Sequence, residues 1–205
     1  MSQLVIDPII LAATINSGEP DLNYGTSVYL QVRYQGASTK SSAYAQRTWI
    51  EVDISAIPSG STIASTSKLE KYCTGVDAAA AATLYRVTQT DVVELEVTWN
   101  SRKTGSAWVT PGGDYGDPHV HFTTPAAPGW FTITDAEFAA FLQDALNNRG
   151  GIGRMLLRID TESAPTKGAA FSSDDDTHDP SWKLKLTVDY TEGGAAYVES
   201  YGCMF

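Results

Sequence analysis

Histidine and cysteine are scarce in this chain, with three and two copies in 205 residues. Three histidines leave little choice for a general base, and no serine stands in a pattern that supplies both a His and an Asp partner. Cys73 and Cys203 fit neither a zinc-ligand spacing nor a disulfide framework, although one bridge between them stays open. Basic residues number 14 against 24 acidic ones, for a formal net charge of −10. That balance argues against wrapping nucleic acid and against docking on an anionic membrane surface. The apolar N-terminal run is broken by Asp7-Pro8 and has no basic segment before it, so neither a signal peptide nor a membrane span is expected. The expectation is synthesis in a cytoplasm. The chain also lacks the phosphate-cradling patterns G-x-x-x-x-G-K-S/T and G-x-G-x-x-G.

What is present is globular. Hydrophobic residues make up 42% and charged residues 19%, which is not a disordered composition. The length suits one domain of the larger β-sandwich kind, long enough to bury a core without staples. Short alternating runs recur. In residues 27–34, Val28, Leu30, Val32 and Tyr34 share a face. In residues 48–54, Ile50, Val52 and Ile54 point inward, which sends Trp49 outward beside Glu51 and Asp53. In residues 67–73, Lys71 shares the inward face with Leu69 and Cys73, an awkward place for a charge. Residues 83–87, 94–99 and 155–160 read as further strands. Residues 183–190 alternate almost ideally, with Leu184, Leu186, Val188 and Tyr190 in and Lys183, Lys185, Thr187 and Asp189 out. One helix is specified near 134–148. Thr134 to Glu137 forms a capping box, Phe138, Phe141, Leu142 and Ala145 make one apolar face, and Gly150-Gly151 stops it. Many short strands, frequent turns and one helix predict an all-β, antiparallel sandwich.

The stretch 98–116, TWNSRKTGSAWVTPGGDYG, frames a polar loop with two indoles and closes it with a Pro-Gly-Gly-Asp turn. It reads as a loop held by packing rather than as a reactive centre. Together with PDLNYGTSVYLQV (20–32), WIEVDISAIPSGSTI (49–63), the capped helix, and FSSDD (171–175) before the last strand, it resembles the DNRLRE-type domain. That is a jelly-roll family grouped with carbohydrate-binding modules. The likeness runs over about residues 12–190. It implies an antiparallel jelly-roll β-sandwich with one short helix, preceded by an N-terminal arm (1–11) and followed by a flexible hinge and apolar tail (191–205). Domains of this kind accompany secreted polysaccharide-acting enzymes and occur in phage virion proteins.

Several residue sets bear on function. Trp49, Trp108, Tyr115 and Trp130 offer flat apolar faces for a sugar or a partner, weighed against core packing. Asp174, Asp175 and Asp176, with His178 and Asp179, are the acidic loop best suited to Ca²⁺, weighed against a solvated loop; their spacing is not that of a calcium-binding helix-loop-helix, and no metal is expected. His119 and His121 share a strand face but lack a third zinc ligand. Glu94 and Glu96 would share a face if that segment is a strand. No catalytic role is expected for any of them. Past the Gly193-Gly194 hinge, the tail carries Tyr197, Tyr201, Met204 and Phe205, suited to docking on a neighbouring copy or an underlying particle. The leading expectation is a non-catalytic structural protein on the surface of a larger assembly, most plausibly a phage virion, working in multiple copies with other assembly proteins. The alternative is a carbohydrate-binding module recognising a polysaccharide. Neither nucleic acid nor membrane is expected as a partner.

Overall fold

Side-chain burial alternates along residues 68–73: Leu69, Lys71 and Cys73 are buried, while Lys68, Glu70 and Tyr72 are turned outward and partly exposed. The same two-residue period recurs strand after strand and builds the molecule. The computed structural model describes residues 1–6, 10–38 and 42–193 and shows an all-β sandwich with one α-helix. In chain order the strands are β1 (Ser2–Ile6), β2 (Ile10–Asn16), β3 (Tyr29–Gln35), β4 (Tyr44–Asp53), β5 (Thr62–Ile63), β6 (Lys68–Val76), β7 (Ala81–Val87), β8 (Ser101–Lys103), β9 (Ser106–Ala107), β10 (Tyr115–Thr123) and β11 (Gly129–Ile133). The helix α1 (Ala136–Asn148) follows, then β12 (Ile152–Ile159), β13 (Lys167–Ser172) and β14 (Lys185–Thr191). Hydrogen bonding runs β1-β14-β6-β13-β3-β4-β12-β7-β10, with β11 also on β6, β2 on β4 and β5 on β14; β8 and β9 form a separate hairpin. β1 lies in the stretch expected to be an arm, and it pairs along β14 from Ser2↔Tyr190 to Ile6↔Leu186.

The main core joins Leu30, Val32, Leu69, Phe171, Leu186 and Val188 to Ile50, Val52, Leu84, Met155 and Leu157. α1 adds Phe138, Phe141, Leu142 and Ala145 to it, the face its periodicity predicts. Each large apolar side chain buried there contributes roughly 1.5–3 kcal/mol. A second core lies on the other face of β4 and β12, where Ala13, Ile15, Trp49 and Leu156 meet Val87, Val97 and Trp108. Trp49 is therefore 0% exposed, and its expected outward position is corrected. It does point away from Ile50, but that face is covered.

The cover is the loop between β7 and β10. Trp108 Nε1 donates to the Thr98 carbonyl at 3.0 Å, and Gly112 N donates to the Trp99 carbonyl at 2.6 Å. The Arg47 guanidinium lies 4.5 Å from the Trp99 ring centroid, donates to the Gly112 carbonyl, and grips both Glu162 oxygens at 2.7–2.8 Å. Gly112 has φ 91°, and a Cβ there would fall 2.6 Å from Arg47 Nη1, so only glycine fits the turn. Residues 94–99, expected as a strand, instead hold a turn at 94–96. Val93 O accepts from Glu96 N and Val97 N, and Asn23 Nδ2 donates to the carbonyls of Glu94 and Val97, which together bend the backbone out of extension.

The helix begins one residue later than the capping box implies. Asp135 is the N-cap, accepting from Phe138 N at 2.6 Å, while the Thr134 hydroxyl donates to the carbonyls of Ser67 at 3.0 Å and Ser65 at 3.3 Å. Asp135→Ala should accordingly lower stability by about 1 kcal/mol through the lost cap, read as a shift in the urea midpoint. An unchanged midpoint would return the cap to Thr134.

Candidate functional site

The outward residues of β6 form one side of a cleft. Register fixes their neighbours: Lys185 of β14 lies opposite Glu70, and Trp130 of β11 lies opposite Tyr72. Glu70, Trp130, Ser181, Lys183 and Lys185 line a cleft of about 380 Å³. Trp130 is 54% exposed, the only tryptophan among the large exposed apolar side chains of the described residues. Its ring stands edge-on to Tyr72, at 5.7 Å and 85°. The other neighbour of Tyr72 is Trp182, stacked on it at 4.2 Å and 7°. Trp182 is held by a short 3-10 turn, Pro180–Trp182, whose start is capped where Asp179 accepts from Ser181 N at 2.9 Å. Lys68 reaches Glu70 at 3.0 Å. The cleft thus combines a free indole face with ammonium donors, a carboxylate acceptor and a hydroxyl. That combination suits a polyhydroxylated ring, whose apolar C–H groups can lie on an indole while its hydroxyls pair with a polar rim.

The other sequence candidates fall elsewhere. Trp49 and Trp108 are 0% and 4% exposed and present no stacking face. Tyr115 lines a separate cleft of about 400 Å³ with Thr88, Gln89, Val109, Thr110, Gly113 and Asp114. Its carboxylate and its phenol are already paired. Arg158 Nη1 donates to the Tyr115 hydroxyl at 2.5 Å, and the Asp114 carboxylate accepts from Val109 N, Thr110 N and Gln89 Nε2. A third cleft, about 520 Å³, runs along Asn16 to Glu19 and Ser42 to Tyr44. The short Tyr24–Glu19 hydrogen bond lies next to it, and no tryptophan lines it. Of the sequence-predicted aromatics, only Trp130 borders a cleft with an exposed indole. The tail residues Tyr197, Tyr201, Met204 and Phe205, and Cys203, lie outside the described residues.

In the acidic loop the three carboxylates have separate tasks. Asp176 is buried and accepts from His178 N at 2.8 Å. Asp175 is exposed. Burial pushes the Asp174 carboxyl up to about 7, helped by the charges of Glu94 and Asp175 and opposed by Lys183. Burial likewise raises Glu94, against the Ala12 N–H it accepts at 2.6 Å. Glu96 is turned elsewhere and accepts from Thr104 N. His121 Nδ1 donates to Thr83 Oγ1 at 2.9 Å, and that hydroxyl donates to Asp160 at 2.6 Å. His119 meets Phe141 edge-on. Among the described residues no three His, Cys, Asp or Glu side chains converge where a metal could sit.

Tyr72, Glu70, Trp182, Lys183 and Lys185 were not singled out by sequence reasoning. A signal existed for part of the set, because the alternation of residues 183–190 already turns Lys183 and Lys185 outward. The model of carbohydrate-binding module family 96 matches residues 10–112, half of the chain. No curated protein matches the sequence. The matched span contains Glu70 and Tyr72; Trp130 and the 181–185 rim lie beyond it.

Proposed function

The chain belongs to carbohydrate-binding module family 96, and on that premise we propose that it is a non-catalytic module that binds a glycan in the Trp130 cleft. The exposed indole carries the proposal. An exposed indole at the edge of a cleft that also holds a few polar groups is suited to a ligand, and tryptophan is enriched where binding energy concentrates. Trp130 supplies the stacking face, Lys183 and Lys185 donate to sugar oxygens, Glu70 accepts from hydroxyls, and the Ser181 hydroxyl, whose proton goes to Asp179 at 2.6 Å, accepts as well. The expected structural role on a particle surface gives way to this reading. The family and the cleft both favour a glycan.

A glycan array with the purified protein, followed by titration of the best ligand, tests the proposal. Trp130→Ala should weaken binding by at least about tenfold, worth 1.4 kcal/mol, with the circular-dichroism spectrum unchanged. Wild-type affinity in the variant would remove the cleft from consideration.

A further inference from the structure

Resting on that reading, we infer that the cleft is an end-binding site, gripping the terminal one or two sugar units of a glycan rather than a long stretch of chain. A groove for a long chain needs several aromatic faces in a row and an open path at both ends. Here the aromatic next to Trp130 is already covered, because Trp182 lies flat on Tyr72 at 4.2 Å. The covering ring comes from the segment that joins β13 to β14, which therefore crosses the outer side of β6 beside Trp130 and takes the place where the next sugar ring would stack. Tyr29, on β3, keeps 40% of its surface exposed and does not line the Trp130 cleft.

Trp130 is left as the most exposed indole of the described residues, at 54%, and it stands at 85° to the Tyr72 ring. Two perpendicular rings make a corner and not a platform. The Tyr72–Trp182 stack and Ser181 stand on one side of it, with Lys183 and Lys185 carrying the rim along β14. At about 380 Å³ the cleft sits near the small end of the range for ligand sites, about 300–1,000 Å³. The crossing segment is also well fixed. Its 3-10 turn is capped by Asp179, and Asp176 accepts from His178 N at 2.8 Å.

The test is calorimetric titration of one oligosaccharide series, from the monosaccharide to the hexasaccharide, on the backbone that gives the strongest array signal. Affinity should rise to the disaccharide and then stay level. Capping the terminal unit at the bound end with a bulky aglycone should abolish binding. A continued gain of more than about tenfold from disaccharide to hexasaccharide, or undiminished binding of glycans capped at both ends, would overturn end recognition and leave glycan binding intact. Binding to no glycan on the array would overturn both this inference and the carbohydrate reading beneath it.

Discussion

Trp49→Ala should lower the unfolding free energy by about 3–5 kcal/mol, the range for removing a large aromatic from a closed core. Trp49 is wholly buried among Ala13, Ile15, Leu156, Val97 and Trp108. Its removal leaves a cavity between β4 and the loop that carries Trp108, and that loop cannot collapse freely. It is anchored by Trp108 Nε1 on the Thr98 carbonyl, and by Arg47 held between Glu162 and the Gly112 carbonyl. Part of the loss is offset, because the indole N–H of Trp49 has no hydrogen-bond partner among the described residues and alanine removes that buried donor. Chemical denaturation at 25 °C provides the reading. Below the transition the variant should bind glycan as the wild type does, since Trp49 belongs to the second core and the cleft is built on β6, β11 and β14. An unchanged midpoint with lost binding would instead make Trp49 a contact residue.

Trp49 also shows where sequence reading stops. Alternation along residues 48–54 fixes which side of the strand each residue takes, and the structure keeps that assignment. Whether a side meets water is decided by chain far away: the cover over Trp49 comes from Val97 and Trp108. Tyr72 and Trp182 pose the same problem in reverse. Their stack joins residues more than a hundred positions apart, and Trp182 sits in a turn with no periodicity to betray it. The apolar face of α1 was legible because helical periodicity is local. Its cap was not, because Thr134 and Asp135 are both good caps, and the tie is broken by the carbonyls of Ser65 and Ser67 that occupy the Thr134 hydroxyl. β13 escaped notice for a compositional reason. Its Lys-Gly-Ala-Ala-Phe-Ser run is rich in small residues, which lets it sit between β3 and β6; at Gly168 a Cβ would fall 2.3 Å from the Val32 carbonyl oxygen.

Lys71 was legible as an anomaly, and it carries the other large effect. Its side chain is 1% exposed, on the inward face of β6 between Leu69 and Cys73. The ammonium lies 3.9 Å from the Phe171 ring centroid, 5.5 Å from that of Phe122 and 5.6 Å from that of Phe131. Phenyl faces attract a cation, by about 0.5–2 kcal/mol for a good contact, but no carboxylate pairs with it in any ion pair of the described residues. Burial brings the amine from 10.5 down to about 7, with only a small opposing effect from Cys73.

The sign of the pH dependence follows from proton binding. Below pH 7 the amine is protonated in both the folded and the unfolded chain, and the fold bears the whole cost of the buried charge. Between about 7 and 10.5 the unfolded chain holds a proton that the folded chain has released, so stability rises with pH through that window. A span of that width corresponds to a few kcal/mol, at about 1.4 kcal/mol per pH unit. Lys71→Met removes the titrating group and keeps an unbranched chain that fills the same space. The variant should be more stable at pH 7 by about 1–4 kcal/mol, the range for replacing buried charge by apolar groups. Its advantage should shrink steadily toward pH 10, because only the wild type gains stability there. Taking the difference between the two proteins cancels the titration of exposed tyrosines and lysines. Phe131 is paired directly across from Lys71, and Trp130 beside it across from Tyr72, so the cage and the cleft are the two faces of one strand pair. Lys71→Met changes only the inner face and should leave glycan affinity within about twofold of wild type. A variant that is less stable at pH 7, with a difference that stays constant to pH 10, would show that the phenyl cage holds a charged lysine at no net cost.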